Sequence, residues 1–283
     1  MLIRAGFRIT LECFRPTPIN ALLHVHPDRA HDLRTPDVVM VAPSLATRKV
    51  RDAFGNDMVR VLAPAGEITF SSEFTIHDSG LPDEVAPHAP QTPVEELPTE
   101  ALQFLLPSRY CDSDGELSDH AWSLFHGYEG WARVQAICDH AHDTIRFGYG
   151  DARSTRTAAD ALRERVGVCR DYAHLAITLC RAMNIPARYC TGYLGDIGVP
   201  PVDLPMDFSA WFEAYLGGRW HTFDARHNTP RIGRIVMARG RDAADVAITH
   251  SFGASRLKEF TVVTDEVGPS DQAGQTGHRA AAE

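Results

Sequence analysis

A chain of 283 residues, 44% hydrophobic and 23% charged, has the composition of a folded protein and excludes wholesale disorder, a collagen-like repeat and a coiled coil. At roughly 150 residues per domain it has room for two domains. With 28 basic against 37 acidic residues (net charge −9) and no dense Lys/Arg run, it lacks the basic excess of a phosphate-tracking protein, so no nucleic-acid partner is expected.

Residues 1–80 read as β. Ile3, Phe7, Ile9, Leu11 and Cys13 stand at alternating or near-alternating positions, and residues 38–41 are a short apolar run. Met58, Val59, Val61 and Leu62 follow the turn signal Phe54-Gly55-Asn56-Asp57, and residues 67–76 are rich in β-branched and aromatic side chains. Short strands between Gly, Pro, Asn and Asp predict an N-terminal antiparallel β-sandwich. Pro82, Pro87, Pro90, Pro93, Pro98 and Pro107 then place six of the eighteen prolines in 26 residues, which predicts an extended linker over 81–117 and a domain boundary there.

From 118 the period changes to three and four, through Trp131, Val134, Ile137, Cys138, Ala141 and Ile145. Thr157 and Asp160 have capping-box spacing and predict a short helix to about Arg165, ended by Gly167. A second helix begins at or beside Cys169, with an apolar stripe of Cys169, Tyr172, Ala173, Ala176, Leu179, Cys180 and Met183. Asn184 suits a left-handed cap and Pro186 forbids continuation. Strands are predicted at 187–194, 208–215 and 220–225, the last two flanking the hairpin signal Gly217-Gly218. The core domain is thus expected over 118–263 and a disordered Gly/Ala/Gln-rich tail over 264–283. No run approaches the ~20 apolar residues of a membrane span. Residues 1–8 lack the apolar core of a secretory signal, so a cytoplasmic protein without a membrane partner is expected.

Six cysteines without paired C-x-x-C spacing make neither a disulfide scaffold nor a structural zinc site. Five read as packing residues. Cys169, in Gly167-Val168-Cys169-Arg170-Asp171, stands at the first turn of a helix, where unpaired N–H groups and the helix dipole favour a thiolate. A core cysteine that merely begins a helix fits the position equally well.

The wider pattern separates these readings. Cys169, Asp171-Tyr172-Ala173, Leu175, Leu179, Arg181 through Ile185-Pro186, Arg188-Tyr189 and Thr191-Gly192-Tyr193 follow without gaps. Ala210-Trp211-Phe212-Glu213 and Gly218-Arg219-Trp220-His221-Thr222-Phe223-Asp224 come next. Residues 130–225 closely resemble the core of the transglutaminase-like superfamily, and the preceding β region, with Asp52-Ala53-Phe54-Gly55-Asn56, looks like the N-terminal domain of its bacterial members. The resemblance implies an α+β fold: an N-terminal β-sandwich, then a papain-like transglutaminase core in which a Cys-bearing helix packs on an antiparallel sheet. It implies Cys169 as a nucleophile that forms a thioester with a peptide, protein or small amide substrate, without a cofactor, and hydrolysis as the outcome. It also implies Asp224 as the residue that orients a catalytic His. The family's His precedes the Ala-Trp pair, and that position is Ser209 here. Tyr172 and Trp211 are the expected substrate-contacting side chains.

Hairpin geometry supports the alignment. If Gly217-Gly218 is a two-residue turn, Leu216 pairs with Arg219 and Trp211 with Asp224, so Ser209, Trp211, Glu213 and Asp224 share a face. Serine cannot act as a base near neutral pH. Among possible substitutes, His221 falls on the opposite face, and His174 lies roughly 140° around the helix from Cys169. His227, three residues past Asp224, is the remaining candidate. With no base, the chain would be a binding or scaffolding relative that kept the pocket and lost the chemistry.

Other constellations are weaker. Of Cys138, His140 and His142, only the first and last share a helix face, too few for zinc. His24 and His26 lack a third ligand. Asp112, Asp114, Gly115 and Glu116 imitate part of a calcium loop without its spacing. Arg231, Arg234, Arg239 and Arg241 either hold a carboxylate-bearing substrate or serve the structure. No metal is expected.

Overall fold

The computed structural model describes residues 1–202 and 206–268. Alternating side chains form β1 (Leu2–Cys13), β2 (Thr17–Ala21), β3 (Met40–Ala42), β4 (Thr47–Arg51), β5 (Asp57–Ala63) and β6 (Gly66–His77). The chain continues through α1 (Thr99–Leu102), α2 (Glu116–Phe125), α3 (Gly130–Thr144), β7 (Arg146–Phe147), α4 (Ala158–Glu164), β8 (Val166–Gly167) and α5 (Cys169–Ala182). Then follow β9 (Ala187–Tyr193), β10 (Ser209–Leu216), β11 (Arg219–Phe223), β12 (Ile235–Gly240), β13 (Thr249–Ser251) and β14 (Ser255–Glu266).

Two four-stranded antiparallel sheets, ordered β14-β1-β6-β3 and β13-β2-β5-β4, enclose one core containing Ile3, Ile9, Ile19, Val61, Phe70 and Ile76. A third sheet, β11-β10-β9-β12, carries the site. Its Ala210, Phe212 and Ala214 share one buried core with Leu175 and Leu179 of α5 and with Met183 at that helix's end. The same sheet contributes Tyr193, Phe208, Ile235 and Met237 to the N-terminal core, which fixes the two halves together. The α+β architecture expected from the sequence is the one observed, with a helix bearing Cys169 on an antiparallel sheet. No described helix is long and apolar enough to cross a membrane.

Three local expectations change. First, the predicted tail begins too early: β14 runs to Glu266 and pairs with β1 from Ile3↔Glu266 to Cys13↔Ser255. Its partner lies some 250 residues away, and local composition carries no trace of that pairing. The rest of the expected tail, from 269, lies outside the described residues. Second, 81–117 is no free linker. Proline removes donors but leaves carbonyls, and Ala89 O accepts from Trp131 N (3.0 Å) while Pro90 O accepts from Gly217 N (2.8 Å). Asp83 N donates to Arg231 O at 2.9 Å, and α1 and the start of α2 fall within the segment, so it is a strap stitched to the core. Third, α4 ends at Glu164 because Arg165 adopts the left-handed conformation (φ 55°), leaving Gly167 for another task. The Thr157–Asp160 capping box forms as its spacing implies, with Asp160 N to Thr157 Oγ1 at 3.2 Å and Thr157 N to Asp160 Oδ2 at 3.1 Å.

Candidate active site

Asp171 sets the start of α5. Its Oδ2 accepts the Val168 N–H at 2.9 Å, satisfying one of the donors a helix N-terminus leaves open, and Arg156 Nη1 at 3.1 Å. Gly167 makes this possible: a Cβ there would lie 2.7 Å from Asp171 Oδ2. The Gly-x-Cys-x-Asp spacing is therefore one structural unit that presents Cys169 at the first turn, where the N–H groups of Cys169 and Arg170 have no intrahelical acceptor. Asn184 closes the far end in the left-handed conformation (φ 60°). Helix position does not lower the thiol pKa here. Burial pushes the Cys169 thiol up to about 11, against the Arg226 charge and the Ala210 N–H, with Asp207 and Asp224 adding to the rise. Desolvation outweighs the ~0.3–1 kcal/mol a helix terminus supplies.

The hairpin has the predicted register. Gly217 (φ 56°) and Gly218 (φ 84°) take the two left-handed positions, Leu216 pairs with Arg219, and Phe212 pairs with Phe223. Ser209 opens β10 opposite Gly192 and is buried, and Asp224 follows β11.

Asp224 is the hub. Its Oδ1 accepts the backbone N–H groups of Arg226 and His227, both at 3.0 Å. This folds the chain back so that His227 Nδ1 meets Asp224 Oδ2 at 2.8 Å. Arg234 Nη2 reaches the same oxygen at 2.8 Å, and its Nε bonds Asp83 Oδ2 of the strap at 2.8 Å. Burial alone would raise the Asp224 carboxyl, but Arg234 and the His227 hydrogen bonds outweigh it and hold the group well below the usual carboxylate range. An ionised carboxylate only accepts, so Nδ1 carries the proton and Nε2 of the neutral ring keeps its lone pair. His227 Nε2 has no hydrogen-bond partner among the described residues, and the side chain is 22% exposed against 3% for Asp224. His227 opens onto a cavity of about 350 Å³ that Tyr149, Met206, Asp207, Ser209 and Arg226 also line.

The 224–228 turn is clamped by α3, which sequence reasoning missed. Gln135 Nε2 donates to Asn228 Oδ1 (2.8 Å), Asn228 Nδ2 donates to Asp139 Oδ1 (2.7 Å), and His142 Nδ1 bonds the Arg226 carbonyl (2.9 Å). The signal for it is polar residues at i, i+4 and i+7 on an otherwise apolar-periodic helix.

The structure brings His227 and Ser209 onto one cavity, with Asp224 behind the imidazole. Cys169 does not line that cavity, but it lies close enough to the Arg226 charge and the Ala210 N–H for both to act on its thiol. Neither Tyr172 nor Trp211 lines that cavity. Tyr172 is buried with its hydroxyl donated to the Ile145 carbonyl, and Trp211 packs with Cys190 and Val236 beneath Arg234. The other histidines go elsewhere. His221 sits edge-on to Trp131, while His174 stacks on Tyr110 and accepts from Ala243 N. His140 faces His120, His24 bonds Asp37, and His26 bonds Arg239. Cys138 is fully buried, Glu116 pairs with Arg163, and no cluster of three or more His, Cys, Asp or Glu among the described residues is placed to hold a metal. Of the arginine stretch, Arg234, Arg239 and Arg241 are structural, paired with Asp224 and Asp83, Glu213 and Asp28, and Asp245.

Residues 120–225 match the family model of the transglutaminase-like superfamily. A crystal structure of a Cytophaga hutchinsonii protein, proposed to be a cysteine protease, is 33% identical with a TM-score of 0.76, covering 94% of this chain and 90% of that one. An uncharacterized Mycobacterium leprae protein is 26% identical over 193 residues, 65% of this chain and 67% of its own length. An uncharacterized Mycobacterium tuberculosis protein is 36% identical over 96 residues, 31% of each chain.

Proposed function

Because the chain belongs to the transglutaminase-like superfamily, we propose that it is a cysteine-dependent acyl-transfer enzyme that hydrolyses a peptide or amide bond through a thioester on Cys169, with His227 as the base. The observation that carries this reading is the 2.8 Å bond from His227 Nδ1 to a buried, ionised Asp224. It fixes the tautomer a general base needs and leaves Nε2 toward the cavity. Ser209 stands at the family's His position, and the Asp that would orient that His holds His227 instead.

Each residue then has a role. His227 Nε2 takes the Cys169 proton, directly or through one water, as sulfur attacks the carbonyl carbon. The imidazolium rests on Asp224, whose second partner Arg234 keeps the carboxylate ionised. The free N–H groups at the start of α5 face the developing oxyanion. As the tetrahedral species collapses, the C–N bond breaks, His227 returns its proton to the departing amine, and a thioester remains. Water, deprotonated by the same nitrogen, releases the acid and restores the thiol. Burial, which pushes the thiol up to about 11, keeps the resting sulfur protonated, so proton transfer belongs to the reaction itself.

An activated ester tests this directly. The wild-type protein should gain one acyl group on Cys169 by mass spectrometry and release it in water, and Cys169→Ala should do neither. Equal ester or peptide turnover in Cys169→Ala overturns the reading. The high thiol pKa also favours the second reading, a binding protein without chemistry. That reading predicts no acyl adduct on Cys169 at any pH.

A further inference from the structure

Most arginines of the core are matched by carboxylates at short range. Arg234 meets Asp83 and Asp224 at 2.8 Å, Arg239 meets Glu213 at 3.1 Å, and Arg156 meets Asp171 at 3.1 Å. Arg133 and Arg181 lack such a partner but spend their donors on Gln91, Ser108 and backbone carbonyls. Two others, Arg226 and Arg231, line the cavity onto which His227 and Ser209 open. Arg226 is half-buried with its guanidinium 3.9 Å above the Phe147 ring, and among the described residues it has no carboxylate within ion-pair distance. Arg231 is buried, 6% exposed, and its Nε has no hydrogen-bond partner. Its Nη2 bonds the Gly195 carbonyl at 2.9 Å, and its nearest carboxylate, Asp196, stands off at 3.8 Å.

A buried guanidinium nitrogen without an acceptor is costly, and Arg226 and Arg231 are the guanidiniums on the cavity wall. The acidic groups on that wall are Asp196 and Asp207. Asp196 is occupied by the Val202 N–H at 2.8 Å. Burial raises the Asp207 carboxyl, opposed by the Phe208 N–H and the Arg226 charge. The planar guanidinium fork matches a carboxylate in particular.

We propose that Arg226 and Arg231 form a carboxylate subsite, so that the substrate carries a free carboxylate close to the bond that is cleaved. This rests on Cys169 being the nucleophile that acts beside that cavity. The carboxylate is an acidic side chain or a chain terminus, and both present the same group to the two guanidiniums.

Two alkylating reagents that differ in this one group test the subsite. Iodoacetate and iodoacetamide both lose iodide to the same thiolate, so the thiolate fraction cancels from the ratio of their rates. The other five cysteines are buried, which leaves Cys169 as the readable site by peptide mass spectrometry. The iodoacetate-to-iodoacetamide rate ratio at Cys169 should exceed that of a free small thiol in the same buffer by roughly tenfold, the scale of one partly screened charge pair. It should fall to the free-thiol ratio in Arg226→Gln, a half-buried position where folding is not at stake, and in Arg231→Gln. Protection against iodoacetamide then distinguishes the two sources. The α-amide of N-acetylglutamate offers a side-chain carboxylate, N-acetylglutamine a terminal one, and N-acetylglutamine amide neither. At least one of the first two should protect and the third should not. A reactive Cys169 with the free-thiol ratio overturns the subsite and leaves the nucleophile standing. A Cys169 inert to both reagents overturns both.

Discussion

Replacing Asp224 by Asn changes one oxygen to an amide and should disable the site through the ring it orients. Oδ1 could keep the N–H groups of Arg226 and His227, so the turn survives. At Oδ2 an NH₂ would face two donors, His227 Nδ1 and Arg234 Nη2. The imidazole can answer only by moving its proton to Nε2, which removes the base, and loss of an orienting carboxylate of this kind costs about 10⁴ in rate. Breaking one side of a buried charge pair costs about 3–5 kcal/mol. Arg234 keeps Asp83, so the lower end is expected here. The sign of the pH dependence follows from the depressed carboxyl. Its stabilisation is present above the unfolded value near ~4 and is lost as pH falls toward the folded one. Urea unfolding of both proteins should therefore show a gap at pH 7 that narrows below about pH 4, alongside the loss of Cys169 acylation. Wild-type acylation at pH 7 in the Asp224→Asn protein would refute the role given to the pair.

Ser209→Ala should change acylation by less than about tenfold, since Ser209 supplies no base. Ser209→His should bring no large gain, because Asp224 Oδ2 is already committed to His227 and Arg234; a hundredfold gain would mean the site had no base. Gly167→Ala should destabilise by about 1–3 kcal/mol in thermal or urea unfolding, because the new methyl displaces Asp171 from Val168 and Arg156. Burial, with Arg239, holds His26 at about 4 against an unfolded value near ~6.5, so stability should rise with pH across that window. His26→Gln should flatten the slope in urea titrations between those pH values, and an unchanged slope would show that His26 does not carry it.

Much of the fold was legible wherever the signal was local. The capping box at Thr157, the left-handed Asn184, the Gly217-Gly218 turn and the register that places Ser209 beside Asp224 each depend on a few adjacent residues. What depended on distant partners was not. The pairing of β14 with β1 and the stitching of the proline strap to α3 and the hairpin leave no period in the sequence. Gly167 read as a helix stop because its neighbour in space, Asp171, lies on the next helix. Cys169 read as acidified by the helix terminus because burial, the larger effect, is a tertiary quantity. Tyr172 and Trp211 drew attention as large side chains near the motif, yet one is spent on a carbonyl and the other on packing. At the site, the Asx-type fold-back of Asp224 onto His227 was hidden by a change of backbone direction past the end of β11, beyond the reach of strand alternation.

The most direct measurement is the rate of Cys169 alkylation by iodoacetamide from pH 5 to 9 in wild type and His227→Gln. If His227 takes the proton as a thiol held at about 11 reacts, the wild-type rate at pH 7 should exceed that of His227→Gln by about 10²-fold or more, with the gap closing as pH rises. Superimposable profiles would contradict it.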